Sequence, residues 1–152
     1  GPRGLGQRAI LADPSNVETK ARLLRDVKSR EEHHPFGVSI LADRAAEVFE
    51  GPADSPYMLR WSRVRAERRR ELAAVVTHDG IARWHGVASA REPAFHALIS
   101  AFGAKTGRLP ALVNTSLNLP GRPPAVTVAE ALEVFATTGL DAMVLGPFVV
   151  SK

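Results

Sequence analysis

The chain has no cysteine among its 152 residues, which excludes disulfides, thiolate metal centres and a cysteine nucleophile. That absence fits a reducing cytoplasm, the expected location. No apolar run is long enough to cross a bilayer, so no membrane partner is expected. No charged start with an apolar middle marks a signal peptide. Internal repeats, low-complexity linkers and a paired-carboxylate dyad are also missing. No cluster of His, Asp and Glu would bind a metal by itself, and His33-His34 in a strand would point to opposite faces. What is present is a slight cationic excess, 20 Lys and Arg against 16 Asp and Glu, giving +4. Such a balance favours anionic partners such as phosphates and nucleotides while arguing against a general polyanion-binding surface. The length suits one domain spanning residues 1–152, burying roughly two thirds of its unfolded surface.

The pattern predicts a mixed α/β (α+β) domain. Ala9 to Ala12 reads as a strand after a glycine-punctuated loop. A capping box of Ser15 and Glu18 opens a helix whose apolar face carries Val17, Ala21, Leu24 and Val27. Phe36 to Leu41 reads as a strand, Arg44 to Phe49 as a short helix and Met58 to Val64 as a strand. Ala73 to Thr77 and Ile81 to Val87 read as two strands of a hairpin turning at Asp79-Gly80. A helix over Pro93 to Thr106 stops at Gly107, with Phe95, Leu98, Ile99 and Phe102 on one side. Ala111 to Val113 is a short buried strand, followed by a loop over 114–126. Thr127 and Glu130 form a second capping box for a helix ending at Gly139. Ala142 to Leu145 and Phe148 to Val150 are expected to complete the sheet.

Four segments hold polar or cationic groups where a core wants apolar ones. In Gly1-Pro2-Arg3-Gly4-Leu5-Gly6-Gln7-Arg8, glycines allow close backbone approach and two arginines can fork onto phosphate oxygens. Taken alone, the segment is better explained as a flexible terminus with incidental arginines. Lys28 and Arg30, two apart past a helix, share a face if extended, or else complement the helix dipole as a solvated end. Around Thr77-His78-Asp79-Gly80, turn chemistry accounts for Asp79-Gly80. Arg83, inside a strand between Ala82 and Trp84, either reaches solvent or finds an anion. The most informative segment is Asn114-Thr115-Ser116-Leu117-Asn118, two hydroxyls and two amides leaving a buried strand. Neutral hydroxyls and amides suit a carbamoyl group, which offers donors and an acceptor; an Asx- or Ser-type turn is the plainer reading.

Taken in order, these segments resemble the C-terminal domain of the antibiotic- and nodulation-type O-carbamoyltransferases. The likeness rests on Gly-Pro-Arg-x-Leu-Gly-x-Arg-x-Ile-Leu-Ala-Asp-Pro at the start and on Lys-x-Arg-Glu followed by Pro-Phe. It continues through Thr-His-Asp-Gly-x-Ala-Arg and Asn-Thr-Ser-x-Asn to the closing Thr-Gly-Leu-Asp-Ala-x-Val-Leu-Gly. Lys-x-Arg with the later Ser-x-Asn is also similar to the YrdC/Sua5-like fold, a twisted mixed sheet flanked by helices. The resemblance implies a lobe that uses ATP and carbamoyl phosphate, with magnesium on the nucleotide, to form carbamoyl adenylate. A Kae1-like N-terminal lobe, holding iron and absent from this chain, would pass the carbamoyl to a natural-product hydroxyl. Opening on glycine inside a motif is what an excised domain would do. By position, Arg3, Arg8, Lys28, Arg30, Arg83, Asn114, Thr115, Ser116 and Asn118 would bind the ligands. Lys28, Arg83, Ser116 and Asn118 would carry the chemistry. Two departures stand out: His34 replaces the arginine usual before Pro-Phe, and the His78-Asp79 turn is one residue short, which leaves His78 outside the expected site.

Two other readings compete. Arg60, Arg63, Arg65, Arg68, Arg69 and Arg70 would suit an RNA-binding module, yet only Trp61 offers a stacking ring among them, so a solvated face is favoured and nucleic acid is not expected. A domain like the tRNA threonylcarbamoyl-adenylate synthases would share the fold but not the first and last motifs. The acceptor would be chosen in the absent lobe.

Overall fold

A computed structural model describes residues 4–29, 34–52 and 54–152. Its centre is a five-stranded mixed sheet in the order β1-β5-β2-β4-β3. The strands are β1 (Ala9–Ala12), β2 (Gly37–Leu41), β3 (Arg60–Arg63), β4 (Ile81–Val87) and β5 (Ala111–Ser116). β2 and β4 are parallel; the other neighbours are antiparallel. The central strand β2 is buried along its whole length, as its run Gly-Val-Ser-Ile-Leu leads one to expect of a strand covered on both sides.

One face of the sheet carries Ile10, Val38, Ile40, Ala82, Trp84, Ala111 and Val113 into the main core. There they meet Leu23, Leu24 and Val27 from the helix that follows β1, together with Phe36, Val48, Phe49 and Leu72. Trp84 anchors this side: its ring stacks on Phe49 at 4.8 Å and its indole N–H donates to Ser62 Oγ at 3.0 Å. On the opposite face the 14-residue helix α2 (Pro93–Thr106) presses Phe95 and Ile99 against Leu41, Val87 and Leu112. α2 covers only part of that face, and the remainder carries the site.

The first helix, α1 (Val17–Arg22), is capped by Asn16, whose side chain accepts from the Glu18 N–H at 2.8 Å. Ser15, the expected cap, instead donates both its N–H and its hydroxyl to Asp13 Oδ1, forming the Asx turn that leads in. Val17, expected on the buried face, is exposed. α1 runs into a π-helical turn, Leu23–Lys28, closed by Ser29 in a left-handed conformation (φ 45°). This π-helical turn carries Leu23, Leu24, Val27 and Lys28 on its buried side.

Several other expectations need correction. Ala73–Thr77 is not a strand. It follows a 3-10 segment (Ala66–Leu72) as a further turn, with the Val75 and Val76 N–H groups on the Leu72 carbonyl, and Ala74 and Val75 fill the core without laddering. β4 therefore pairs with β3, and the turn at Gly80 (φ 77°) joins β4 to a loop. The helix expected over Arg44–Phe49 is instead a 3-10 segment, Ala42–Glu47, followed by Val48 in a turn and Phe49 in an isolated antiparallel bridge to Val64. The third helix, α3 (Val128–Thr137), opens on the expected Thr127–Glu130 capping box. β6 (Ala142–Leu145) and β7 (Phe148–Ser151) do not complete the sheet; they form a separate hairpin. That hairpin and α3 share a small core of Ala125, Ala131, Phe135 and Met143.

Candidate functional site

β5 continues three residues beyond the expected Val113, because β1 and β2 supply backbone partners for its polar end. Asn114 pairs with Gly37 and Leu11, Thr115 with Ile10 and Ser116 with Ala9. Alternation along the strand puts Asn114 and Ser116 on the face that α2 leaves partly open, and Thr115 on the other. In the same row, Gly37 is followed across the sheet by Arg83 and Trp61.

The floor beyond β5 is organised by Lys28, the last residue of the π-helical turn. Only 1 % of it is exposed. Its ammonium donates to Ser116 O at 2.5 Å, to Asn118 Oδ1 at 2.6 Å and to Asn118 O at 3.3 Å. Burying a cation this deeply is tolerable only when its donors meet acceptors, and these three oxygens supply them. Ser116 Oγ donates to Asn118 Oδ1 at 2.6 Å, and Asn118 Nδ2 donates to Leu119 O at 3.1 Å and Arg122 O at 2.6 Å. Both lone pairs and both N–H groups of the Asn118 amide are thus committed within the loop. Lys28 and Asn118 form the frame, and Ser116 sits on its rim, partly exposed.

Arg8 is exposed just before β1, where its carbonyl accepts from the Leu117 N–H and its Nη1 donates to Ala125 O at 3.3 Å. It therefore stands beside the Ser116–Asn118 loop. Arg83 lies two strands from Asn114, roughly 10 Å at ordinary strand spacing, with Gly37 between them. A β-carbon at Gly37 would come within 2.4 Å of Met58 Sδ, so the Met58 side chain, buried, lies over the sheet there. The guanidinium of Arg83 sits 5.9 Å from the centre of the half-exposed Trp61 ring, a cation–π arrangement. Trp61 in turn borders an open groove of about 1080 Å3, lined also by Leu24, Pro35, Thr77, His78, Asp79 and Ile81. The structure thus gathers Arg8, Lys28, Ser116 and Asn118 at one place. It sets Arg83 apart on the groove side and turns Thr115 to the opposite face. Arg3 and Arg30 lie outside the described residues.

Sequence reasoning missed a buried polar chain on the same face. Asn114 Nδ2 donates to Ser39 Oγ at 2.8 Å, and Ser39 Oγ lies 3.1 Å from His85 Nδ1. His85 Nε2 is 3.0 Å from Glu92 Oε2, a close contact whose angle falls short of a hydrogen bond. Ser39 and His85 are fully buried, and Phe95 stacks on the imidazole at 6.2 Å. Burial lowers the imidazole to about 4, aided by Arg91, while burial raises the Glu92 carboxyl above its ordinary range. Polar residues at alternate positions of otherwise apolar strands were the available signal; the parallel register of Ser39 on His85 was not readable.

Among the described residues no group of three or more His, Asp and Glu is placed to hold a metal, and no helix is long and apolar enough to cross a membrane. Of the six clustered arginines, Arg63, Arg65 and Arg69 donate to main-chain carbonyls, and Arg68 pairs with Glu71 and Glu47.

Residues 1–152 match the family described as Carbamoyltransferase C-terminus. The chain is 43 % identical over its whole length to the nodulation protein NolO of Bradyrhizobium diazoefficiens, covering 28 % of it. It is 41 % identical, again over its whole length, to the nodulation protein NolNO of Sinorhizobium fredii, covering 23 % of it. A 3'-hydroxymethylcephem-O-carbamoyltransferase of Amycolatopsis lactamdurans is 35 % identical over 96 % of the chain, which covers 27 % of that enzyme. The chain therefore spans about a quarter of the length of these curated relatives. On the full-length family match and these identities, the chain belongs to the carbamoyltransferase C-terminus family.

Proposed function

We propose that this domain, as one lobe of an O-carbamoyltransferase, binds carbamoyl phosphate and ATP and forms carbamoyl adenylate: water releases inorganic phosphate from carbamoyl phosphate, and the carbamate left behind displaces pyrophosphate from the α-phosphate of ATP. The observation that carries the reading is the Lys28 frame. A buried ammonium fixes the Ser116–Asn118 loop beside the exposed Arg8, giving a rigid rim of hydroxyl and guanidinium groups. A carbamoyl group needs donors and an acceptor, and its phosphate needs cations; these residues are of the right kind.

ATP and carbamoyl phosphate together bring about six negative charges into one cleft, so positioning and charge neutralisation dominate the chemistry. Arg8 neutralises phosphate oxygens at the Ser116 side, a contact worth ~1.5–3 kcal/mol. Ser116 Oγ orients the carbamoyl group, and Arg83 with Trp61 serves the nucleotide at the groove. Magnesium would come with the ATP phosphates, since the described residues hold no ready metal cluster. Lys28 and Asn118 act by holding the rim in place. The acceptor hydroxyl would be bound by the remaining three quarters of the longer relatives, among them the 3'-hydroxymethylcephem-O-carbamoyltransferase.

Calorimetric titration tests the assignment. Wild-type chain is expected to bind both ligands. Arg8→Ala and Ser116→Ala should weaken carbamoyl phosphate, and Arg83→Ala should weaken ATP, each about tenfold or more. Unchanged affinities in all three variants would remove these residues from the site.

A further inference from the structure

We propose that His85 and Glu92 are positioning residues for this site: with Ser39 they form a buried relay that sets which end of the Asn114 amide faces the ligand. The inference rests on the donor-binding reading above, in which Asn114 and Ser116 share the open face. Its ground is the pair of hydrogen-bond contacts from Asn114 through Ser39 to His85, continued by the 3.0 Å approach of His85 Nε2 to Glu92 Oε2, which a small turn of either side chain makes a hydrogen bond.

Hydrogen-bond polarity in such a line is not independent from link to link. When Asn114 Nδ2 donates to Ser39 Oγ, the serine hydroxyl proton has one neighbour left, His85 Nδ1. The imidazole then carries its proton on Nε2, facing an ionised Glu92. Asn114 is left presenting its amide oxygen. The reverse polarity is equally complete. A protonated Glu92 donates to Nε2, the imidazole carries its proton on Nδ1 and donates to Ser39 Oγ, and the serine hydroxyl donates to the Asn114 amide oxygen. The amide then presents its NH2 group. One proton is taken up, at Glu92; the ring changes tautomer and stays neutral, the hydroxyl rotates and the amide turns over.

The surroundings make Glu92 the group that takes the proton. Its side chain is 17 % exposed at the wall of a cavity of about 420 Å3 lined also by Gly4, Leu5, Gln7, Arg8, Tyr57 and Arg91. It is reachable from solvent, whereas the His85 side chain is fully enclosed. The charged groups nearby are Arg91, which favours the carboxylate and opposes a charged imidazole, Asp54, which pairs with Arg91 at 3.3 Å, and Arg8 across the cavity. Burial disfavours charge on both the ring and the carboxyl, so each state holds at most one ion in the line. An amide oxygen facing the site suits the NH2 of a carbamoyl group, and an NH2 facing it suits a carbonyl or phosphate oxygen. The relay therefore couples proton uptake at the cavity to what the site accepts.

The test is 15N NMR of the His85 ring in the wild-type chain and in Glu92→Gln, read beside calorimetric titration with carbamoyl phosphate. In wild type the ring proton is expected on Nε2 near pH 8 and on Nδ1 once Glu92 is protonated, with a second ring proton arriving only near pH 4. Carbamoyl phosphate affinity is expected to change severalfold at the same midpoint. In Glu92→Gln the tautomer should stay fixed over that range and the affinity step should vanish, while the backbone spectrum shows the fold intact. A tautomer that ignores Glu92, or an affinity step that survives in Glu92→Gln, would overturn the proposal. Failure of the wild-type chain to bind carbamoyl phosphate would overturn the functional reading and the positioning role with it. A ring that ignores Glu92 in a chain that binds its donor would count against the relay alone.

Discussion

Lys28 illustrates how a single residue can define a site without facing a ligand. Replacing it by methionine keeps the volume but takes the ammonium donor from Ser116 O and Asn118 O, and leaves Asn118 Oδ1 with the Ser116 hydroxyl alone. A buried acceptor that loses its donor costs about 1–3 kcal/mol. The expected result for Lys28→Met is a lowered denaturation midpoint together with loss of carbamoyl phosphate binding. A stable variant with wild-type affinity would show that the frame is dispensable. His85 makes a second prediction at this scale. Its folded value, about 4, lies below the 6.5 of the unfolded chain, so the stability gained from burying a neutral ring is complete above pH 6.5 and is lost towards pH 4. The loss amounts to about 3 kcal/mol. Glu92 has the opposite sign: raised in the folded chain, it adds stability below its unfolded value of 4.5, and that contribution is lost as pH rises through the folded value. Denaturation midpoints between pH 6.5 and 4.5 should therefore fall more steeply in Glu92→Gln than in wild type, and less steeply in His85→Gln. Parallel curves would contradict both assignments.

At the scale of elements, the sequence made some boundaries plain and hid others for identifiable reasons. β1 and α2 match their expected residues because each is closed by strong local chemistry. An Asx turn follows β1, Pro93 begins α2, and Gly107 in a left-handed conformation (φ 67°) ends it. The end of β5 was hidden because Asn114, Thr115 and Ser116 look like a loop; neighbouring strands turn them into sheet. Ala73–Thr77 misled in the other direction, since a β-branched run that only fills the core has the composition of a strand. Lys28 does follow Leu24 at helical spacing, but a lysine at the end of a helix reads as a solvated charge, so its burial was not legible. Of the site, the polar content of 114–118 and the cations were legible, but the roles of Lys28 and Asn118 as frame depended on three-dimensional closure. One contact tests the packing at this level. Gly37→Ala places a methyl group against Met58 Sδ, and overpacking of this kind costs about 1–3 kcal/mol. Met58→Ala is expected to relieve most of that penalty, so the double variant should be more stable than the sum of the singles predicts. Simple additivity would mean that Met58 does not lie over the sheet.

For the molecule as a whole, the mixed sheet divides two tasks. One face is a closed core built on Trp84. The other is shared between α2 and a polar surface running from Arg8 and Ser116 past Met58 to Arg83 and Trp61. That division suits the proposed role, in which the domain holds two anionic ligands on one scaffold and a further lobe binds the acceptor. The measurement that tests this account most directly is pyrophosphate release from ATP by this chain, with and without carbamoyl phosphate. The account predicts release that depends on carbamoyl phosphate and is abolished in Ser116→Ala. The absence of both release and binding of either ligand would contradict it.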